Sequence, residues 1–408
     1  MARANAAKDG STSLATVALC YLVAIFEGFD LQAAGVAAPR LGPALGLDPG
    51  ALGWFFSAST FGLMLGAAFG GRLSDRYGRK RVIVASVALF GLMSVLTGLA
   101  NSLDMLLAAR FLTGAGIGAA LPNLVALTSE NAAPARRNLA VGMLYAGLPT
   151  GGALASLTTV FGEAADWRMV FLLGGAAPLI AVPLLLARLP ESRALAGDPA
   201  PGPAGVRGFH EALVADGRAS RTVLLWTAFF LSLLTMYLLL NWLPTLLIGR
   251  GLSRPDASLV QLSFNILGAL ASVGTGLALD RLSLPVMVVG VFVSAALSLA
   301  ALAGAPPQLL ASLAVGGLVG VTMSATQTLL YAIAPANYPT RVRGTGVGSA
   351  VSVGRLGSAV GPLLAAALLG SGRGPQEVLT VLVPIILVSG LAAWTLAHRM
   401  ARAEAGAA

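Results

Sequence analysis

The sequence predicts an all-α membrane protein of twelve transmembrane helices in two pseudo-symmetric six-helix bundles. Three observations lead there. The chain is 56% hydrophobic and 11% charged, whereas a soluble globular chain carries about 25% charged residues; its mean hydropathy is +0.82. Twelve segments are apolar over the length that a helix needs to cross the hydrocarbon core, about 20 residues. Short motifs recur about 205 residues apart, at equivalent points of two sets of six segments.

Span 1 covers residues 14–38, after a short polar stretch from Met1 to Ser13. It holds acids and lacks a small-residue cleavage site, so it is expected to be retained. Span 2, 52–71, carries Gly62, Gly66 and Gly70 at four-residue spacing, a stripe that lets another helix approach closely. Span 3, 82–100, follows a tight basic loop that turns at Gly78. Span 4, 104–127, repeats the packing spacing with Gly114 and Gly118. Spans 5 (139–161) and 6 (167–188) contain Gly and Pro, which membrane helices tolerate.

The longest loop comes next, 189–221. It starts as a linker, with Pro190, Pro199, Pro201, Gly202 and Pro203, and its stretch from Val206 to Arg218 is expected to form a short amphipathic helix on the membrane surface. Spans 7 to 12 follow at 222–246, 258–279, 285–304, 308–333, 343–367 and 377–398. The expected organisation is therefore an N-terminal bundle (1–188), a central cytoplasmic loop (189–221) and a C-terminal bundle (222–408).

The halves look repeated. Gly71-x-x-x-Asp75-Arg76 follows span 2 and Gly276-x-x-x-Asp280-Arg281 follows span 8. Arg137 and Gly142 open span 5; Arg343 and Gly348 open span 11. Parallel six-span repeats are a pattern of secondary transporters, with the substrate site at mid-bilayer between the repeats.

Orientation follows from the basic residues. With the N-terminus inside, nineteen Arg and Lys fall in inner segments and five in outer ones. That bias places both termini in the cytoplasm. The net charge of +9 is thus a topology signal, not a nucleic-acid one. Arg greatly outnumbers Lys and Ala, Gly and Leu abound, the composition of a GC-rich bacterial genome; the expected location is a bacterial inner membrane.

The charges inside spans carry the chemistry. Glu27 and Asp30 lie three residues apart in span 1, so they share a helix face. A charge at bilayer depth costs at least about 2.5–3.5 kcal/mol on insertion scales. Two neighbouring carboxylates there require a proton or a cation. Arg110, about six residues from the outer end of span 4, matches the depth of Asp30, about eight from the outer end of span 1. A pair with Asp30 or Glu27 is feasible. Two readings of these acids stay open: a proton site, or a structural pair locked to Arg110. Arg355 sits mid-span in span 11 with no acid at matching depth in its half. Either backbone carbonyls satisfy it, or it awaits an anion from outside, and guanidinium grips a carboxylate bidentately. Trp54, Phe55, Tyr145, Tyr237, Asn241, Trp242, Asn265 and Gln327 are the aromatic and polar candidates for a cavity wall.

Several classes are excluded as expectations. Cys20 is the single cysteine, so no disulfide forms within the chain. The two histidines, His210 and His398, show no metal-ligand spacing, and there is no phosphate-cradling Gly-x-x-x-x-Gly-Lys loop. No metal, cofactor, nucleic acid or enzymatic activity is expected, and the chain is expected to act as a monomer in lipid.

The stretch Gly70-Gly71-Arg72-Leu73-Ser74-Asp75-Arg76-Tyr77-Gly78-Arg79-Lys80-Arg81 resembles the loop signature of the major facilitator superfamily. Arg110-Phe-Leu-Thr-Gly114-Ala-Gly116 resembles its fourth-span signature. Glu27-Gly28-Phe29-Asp30 is similar to the acid-Gly-aromatic-acid motif of the aromatic acid:proton symporter family, although Glu27 stands where that family more often has Asp. Leu121-Pro122-Asn123 through Glu130, Asn241 to Leu247, and Gly354-Arg355-Leu356-Gly357 with Gly361-Pro362 agree further. Asp30 to Gly35 and Ala119 to Asn123 resemble the hydroxyphenylpropionate transporters of that family.

The resemblance implies the major facilitator fold and a symporter that imports an aromatic carboxylate of hydroxyphenylpropionate or benzoate type with protons. On that reading Asp30 and Glu27 couple protons. Arg355, Arg110, Tyr237, Asn241 and Gln327 meet substrate. Asp75, Arg76, Gly78, Arg79, Glu130, Arg137, Asp280 and Arg343 work the inner gate, with Asp75 meeting a helix N-terminus or opposing basic residues. Gly147-Leu148-Pro149-Thr150-Gly151-Gly152 weakly resembles an antiporter signature, so a drug:proton antiporter of the same fold is the alternative, and a non-transporting membrane sensor or scaffold is a third.

Overall fold

The computed structural model describes residues 2–133, 137–161, 166–191, 213, 218–279, 281–339 and 342–405. Among them lie twelve long helices and no strand: α1 (Ala2–Ala44), α2 (Pro49–Tyr77), α3 (Arg79–Gly98), α4 (Leu103–Asn131), α5 (Arg137–Phe161), α6 (Arg168–Arg188), α7 (Ala219–Gly249), α8 (Arg254–Leu279), α9 (Leu284–Gly304), α10 (Leu309–Ala336), α11 (Arg343–Gly370) and α12 (Pro375–Ala405). Each contains a stretch long and apolar enough to cross a membrane. The chain is an all-α, multi-pass membrane protein.

The helices outrun the apolar segments. α1 starts at Ala2, not near residue 14, and continues past Pro39 and Pro43 to Ala44. α2 runs through Asp75 and Arg76 to Tyr77. The basic motif expected as a loop is therefore the last turn of one helix and the first of the next. Only Gly78 interrupts, at φ +93°, a backbone region that Gly adopts without steric cost. Hydropathy reports where a helix meets lipid, and the hydrogen-bonded backbone continues beyond that edge.

Caps fix other ends. Asp48 accepts a hydrogen bond from the Ala51 N–H at 2.7 Å, with Pro49 in the first turn of α2. Ser253 does the same for the Asp256 N–H at 3.2 Å at the start of α8. These caps, and the positive-φ turns at Gly46 and Gly251 just before them, stand 205 residues apart, which extends the repeat seen in the motifs.

The chain divides into two compact units, Met1–Pro199 and Ala200–Ala408. The expected central loop (189–221), its amphipathic stretch and Asp280 lie almost wholly outside the described residues. In the first unit α2 packs on α4, α1 on α5, and α3 on both α4 and α6. In the second unit α8 packs on α10, α7 on α11, and α9 on both α10 and α12. The same pairing order in both is the pseudo-symmetry of the fold.

Small residues set the closest pairs. A side-chain carbon at Gly62 or Gly66 would overlap the backbone carbonyl of Phe111 or Ala115, and at Gly114 or Gly118 that of Ser59 or Leu63. Without a hydrophobic drive between helices in lipid, such backbone approach supplies the packing energy. Gly357 on α11 meets the Phe230 carbonyl of α7 likewise. Large apolar groups face outward instead: Ile180 is 78% and Leu310 81% exposed, the side-chain pattern of a surface wetted by lipid.

Candidate functional site

Among the described residues, the first unit holds one deeply buried ion pair. Arg110 Nη1, on α4, donates to Asp30 Oδ2 of α1 at 2.8 Å, and its Nη2 donates to the Asp30 backbone carbonyl at 3.2 Å. Asp30 is 0% and Arg110 1% exposed. Arg110 thus reaches Asp30, the partner whose depth matches its own. Glu27, one turn away on α1, is equally buried. Asp30 Oδ1 and Arg110 Nε make no hydrogen bond among the described residues, so the pair keeps one acceptor and one donor in reserve.

Aromatic rings wall this pair in. The Arg110 guanidinium carbon lies 5.9 Å from the Phe55 ring centre and 5.7 Å from that of Phe171. The two rings meet edge to face at 6.2 Å. Ring faces are electron-rich and hold a cation without solvating it. Little water screens the ion pair, so its attraction is far stronger than at a surface. Phe55 stood among the sequence candidates; Phe171, from span 6, did not, because nothing in a run of apolar residues marks which ring turns inward.

Gly28, between the two acids, explains how α1 is held. A side-chain carbon there would overlap the Leu148 carbonyl of α5. Gly147 and Gly151 face α1 in return, against Ala24 and Ile25. The Gly-rich stretch that weakly resembled an antiporter signature is a packing surface for the acid-bearing helix.

The second unit holds a different cluster. Arg355 Nη1, on α11, donates to Tyr237 Oη of α7 at 2.6 Å, with its guanidinium carbon 5.9 Å from that ring centre. A tyrosine hydroxyl meets this arginine. Tyr331 of α10 stands edge-on to Phe229 of α7 at 5.3 Å, and Phe229 borders Gly354, the chain neighbour of Arg355. Gln327, one turn before Tyr331, donates from Nε2 to Ser232 Oγ of α7 at 2.9 Å. Asn241 turns its amide back to the Tyr237 carbonyl, 2.7 Å away on its own helix.

The remaining cavity candidates scatter. Trp242 is buried and donates to the Pro362 carbonyl at 3.0 Å. Trp54 is 54% and Tyr145 44% exposed, and Asn265 donates to the Gln261 carbonyl one turn back.

At the basic end of the first unit, Arg79 pairs with Glu130. Glu191 Oε1 accepts the Lys80 N–H at 3.1 Å, at the N-terminus of α3, where an acid is favoured by the helix dipole. A side-chain carbon at Gly78 would press on this Glu191 carboxylate. Asp75, expected to meet a helix N-terminus or a basic partner, is exposed, and its carboxylate pairs with nothing among the described residues; Glu191 and Glu130 hold those positions. Arg76 lies over the Tyr77 ring at 5.2 Å, Arg137 is exposed, and Arg343 Nε donates to the Tyr338 carbonyl at 3.5 Å.

Comparison with known proteins decides the family. A model described as Major Facilitator Superfamily matches residues 20–362 and 225–407. The chain belongs to the major facilitator superfamily. It is 43% identical to the 3-(3-hydroxy-phenyl)propionate transporter of Escherichia coli (strain K12), over 99% of this chain and 99% of that protein. It is 36% identical to the 4-hydroxybenzoate transporter PcaK of Pseudomonas aeruginosa, over 96% of this chain and 93% of the other. Among solved structures the nucleoside transporter NupG superposes with a TM-score of 0.79 at 12% identity, covering 94% of this chain and 99% of that one; this likeness concerns the fold alone.

Within this major facilitator chain, the sequence candidates Asp30, Glu27 and Arg110 gather in one unit, and in the other Arg355 of α11 meets Tyr237 of α7 while Gln327 of α10 bonds Ser232 of the same α7. Phe171, Tyr331, Ser232 and Glu191 complete these clusters and were missed. Tyr331 had a signal, one helical turn from Gln327; Glu191 had none, because its partner is 111 residues away.

Proposed function

We propose that the protein is a proton-coupled symporter importing an aromatic carboxylate, of the hydroxyphenylpropionate or benzoate type, across a bacterial inner membrane by alternating access. The observation that carries the coupling is the wholly buried Asp30–Arg110 pair with Glu27 one turn away. A buried carboxylate that loses its countercharge has to take up a proton, and a buried guanidinium that loses its carboxylate has to find another anion. Protonation from outside at Asp30 and Glu27 releases Arg110. The substrate carboxylate is met by guanidinium, with Arg355 and the Tyr237 hydroxyl as its seat, and the apolar rings nearby accept the aromatic body. Transport rather than catalysis is the activity of the named relatives, and aromatic acids are their cargo.

In this reading the N-terminal bundle (1–188) houses the proton step and the C-terminal bundle (222–408) the substrate step, with both termini cytoplasmic and the chain acting alone. Arg79, Glu130 and Glu191 hold the basic end of the first bundle, and Asp75, Arg76, Gly78, Arg137, Asp280 and Arg343 act with them as the inner gate.

The test is uptake of radiolabelled 3-(3-hydroxyphenyl)propionate by membrane vesicles under an imposed inward proton gradient, with and without an uncoupler, for wild type and Asp30→Asn. Gradient-driven accumulation that is absent from Asp30→Asn is the expected result. Equal, gradient-independent uptake in both makes the protein a facilitator and removes the proton role from α1.

A further inference from the structure

The hydrogen bonds around Gln327 run in one direction only. Thr326 Oγ1 donates to the Met323 carbonyl at 2.7 Å. A carbonyl cannot return a proton, so the Thr326 hydroxyl is committed as donor and meets its other neighbour as an acceptor. That neighbour is Ser232 Oγ, which donates to Thr326 Oγ1 at 3.3 Å. Ser232, its proton spent, accepts from Gln327 Nε2 at 2.9 Å. The orientation of a side-chain amide is set by its network, and here the network ends in a backbone carbonyl. Gln327 therefore presents its NH2 to Ser232, and its Oε1 is left as a committed acceptor. That oxygen is covered and has no hydrogen-bond partner among the described residues.

We propose that Gln327 Oε1 is the acceptor for a ring hydroxyl of the substrate, so that the protein selects aromatic acids that donate a hydrogen bond from the ring. This rests on the proposed reading of Arg355 and Tyr237 as the carboxylate seat. Gln327 lies one turn along α10 from Tyr331, whose ring meets Phe229 of α7 at 5.3 Å, and Phe229 borders Gly354, the chain neighbour of Arg355. One turn is about 5.4 Å, the scale of an aromatic ring, so an acid seated on Arg355 projects its ring substituent along this face toward Gln327. An orphan buried acceptor disfavours the state in which it is covered. A donor that reaches it as the face opens is therefore held more tightly than an isostere that cannot donate. Sites built to bond a hydroxyl reject analogues lacking it far better than apolar pockets sort by size.

The experiment is competition against radiolabelled 3-(3-hydroxyphenyl)propionate uptake by unlabelled 3-(3-hydroxyphenyl)propionate, its 3-methoxy analogue and unsubstituted phenylpropionate. Wild type is expected to prefer the hydroxylated acid by ~10-fold or more over both. Gln327→Leu should bring the three together by weakening the hydroxylated acid alone. Ser232→Ala removes the lock on the amide, which then turns either end to the ligand, and should narrow the hydroxy-over-methoxy preference. A preference that is absent from wild type, or unchanged in Gln327→Leu, overturns the inference and leaves the symporter reading standing. Uptake of none of these acids by wild type overturns both.

Discussion

Arg110 on α4 and Asp30 on α1 form a 2.8 Å ion pair with 1% and 0% of their side chains exposed. Removing one partner strands the other charge in an apolar, ring-lined site, which typically costs about 3–5 kcal/mol. Arg110→Gln is expected to lower the thermal midpoint of the purified protein markedly. The double variant Arg110→Gln/Asp30→Asn, which removes both charges, should recover most of the loss. A double-mutant cycle by thermal unfolding in detergent checks this; additive losses would show that the two charges are not coupled.

In the second unit Arg355 donates to the Tyr237 hydroxyl at 2.6 Å. Hydrogen bonds to charged groups are worth about 1.5–3 kcal/mol. Arg355→Lys keeps the charge but loses the planar fork, and should raise KM for the aromatic acid by roughly 10- to 100-fold while the fold stays intact. Concentration-dependent uptake, with a thermal melt as control, measures it. An unchanged KM would move the carboxylate seat elsewhere.

Glycine substitutions separate packing from mere helix content. Gly28 abuts the Leu148 backbone, whereas Gly290 on α9 has open space where a side chain would go. Gly290→Ala should stabilise by up to about 1 kcal/mol, the helix propensity gain. Gly28→Leu should prevent α1 from seating on α5, and little folded protein should be recovered by size-exclusion chromatography.

At the basic end, Arg79 and Glu130 retain 20% and 24% side-chain exposure, a partly buried pair of the kind that contributes about 1–3 kcal/mol. If it holds a gate, Glu130→Gln should alter the maximal uptake rate severalfold while moving the thermal midpoint by only a few degrees. A rate that follows stability in proportion would reduce the pair to a fold contact.

What the sequence determined by itself is everything that the bilayer enforces locally. A helix in lipid satisfies its own backbone, so apolar length alone yields twelve spans, and the repeat of motifs at one offset yields two halves with the same internal pairing. Depth along a helix is also a local quantity, which is why Asp30 and Arg110 were matched before their contact was seen. The tertiary structure decided what depends on rotation about helix axes and on residues remote in the chain. It joined Arg110 to Asp30, turned Phe55 and Phe171 onto that pair, and set the Tyr237 hydroxyl against Arg355. It placed Glu191, rather than Asp75, at the start of α3. In apolar spans that lack a polar face, hydrophobic periodicity carries no record of which side turns inward; backbone approach at glycines such as Gly28 and Gly357 fixes that rotation.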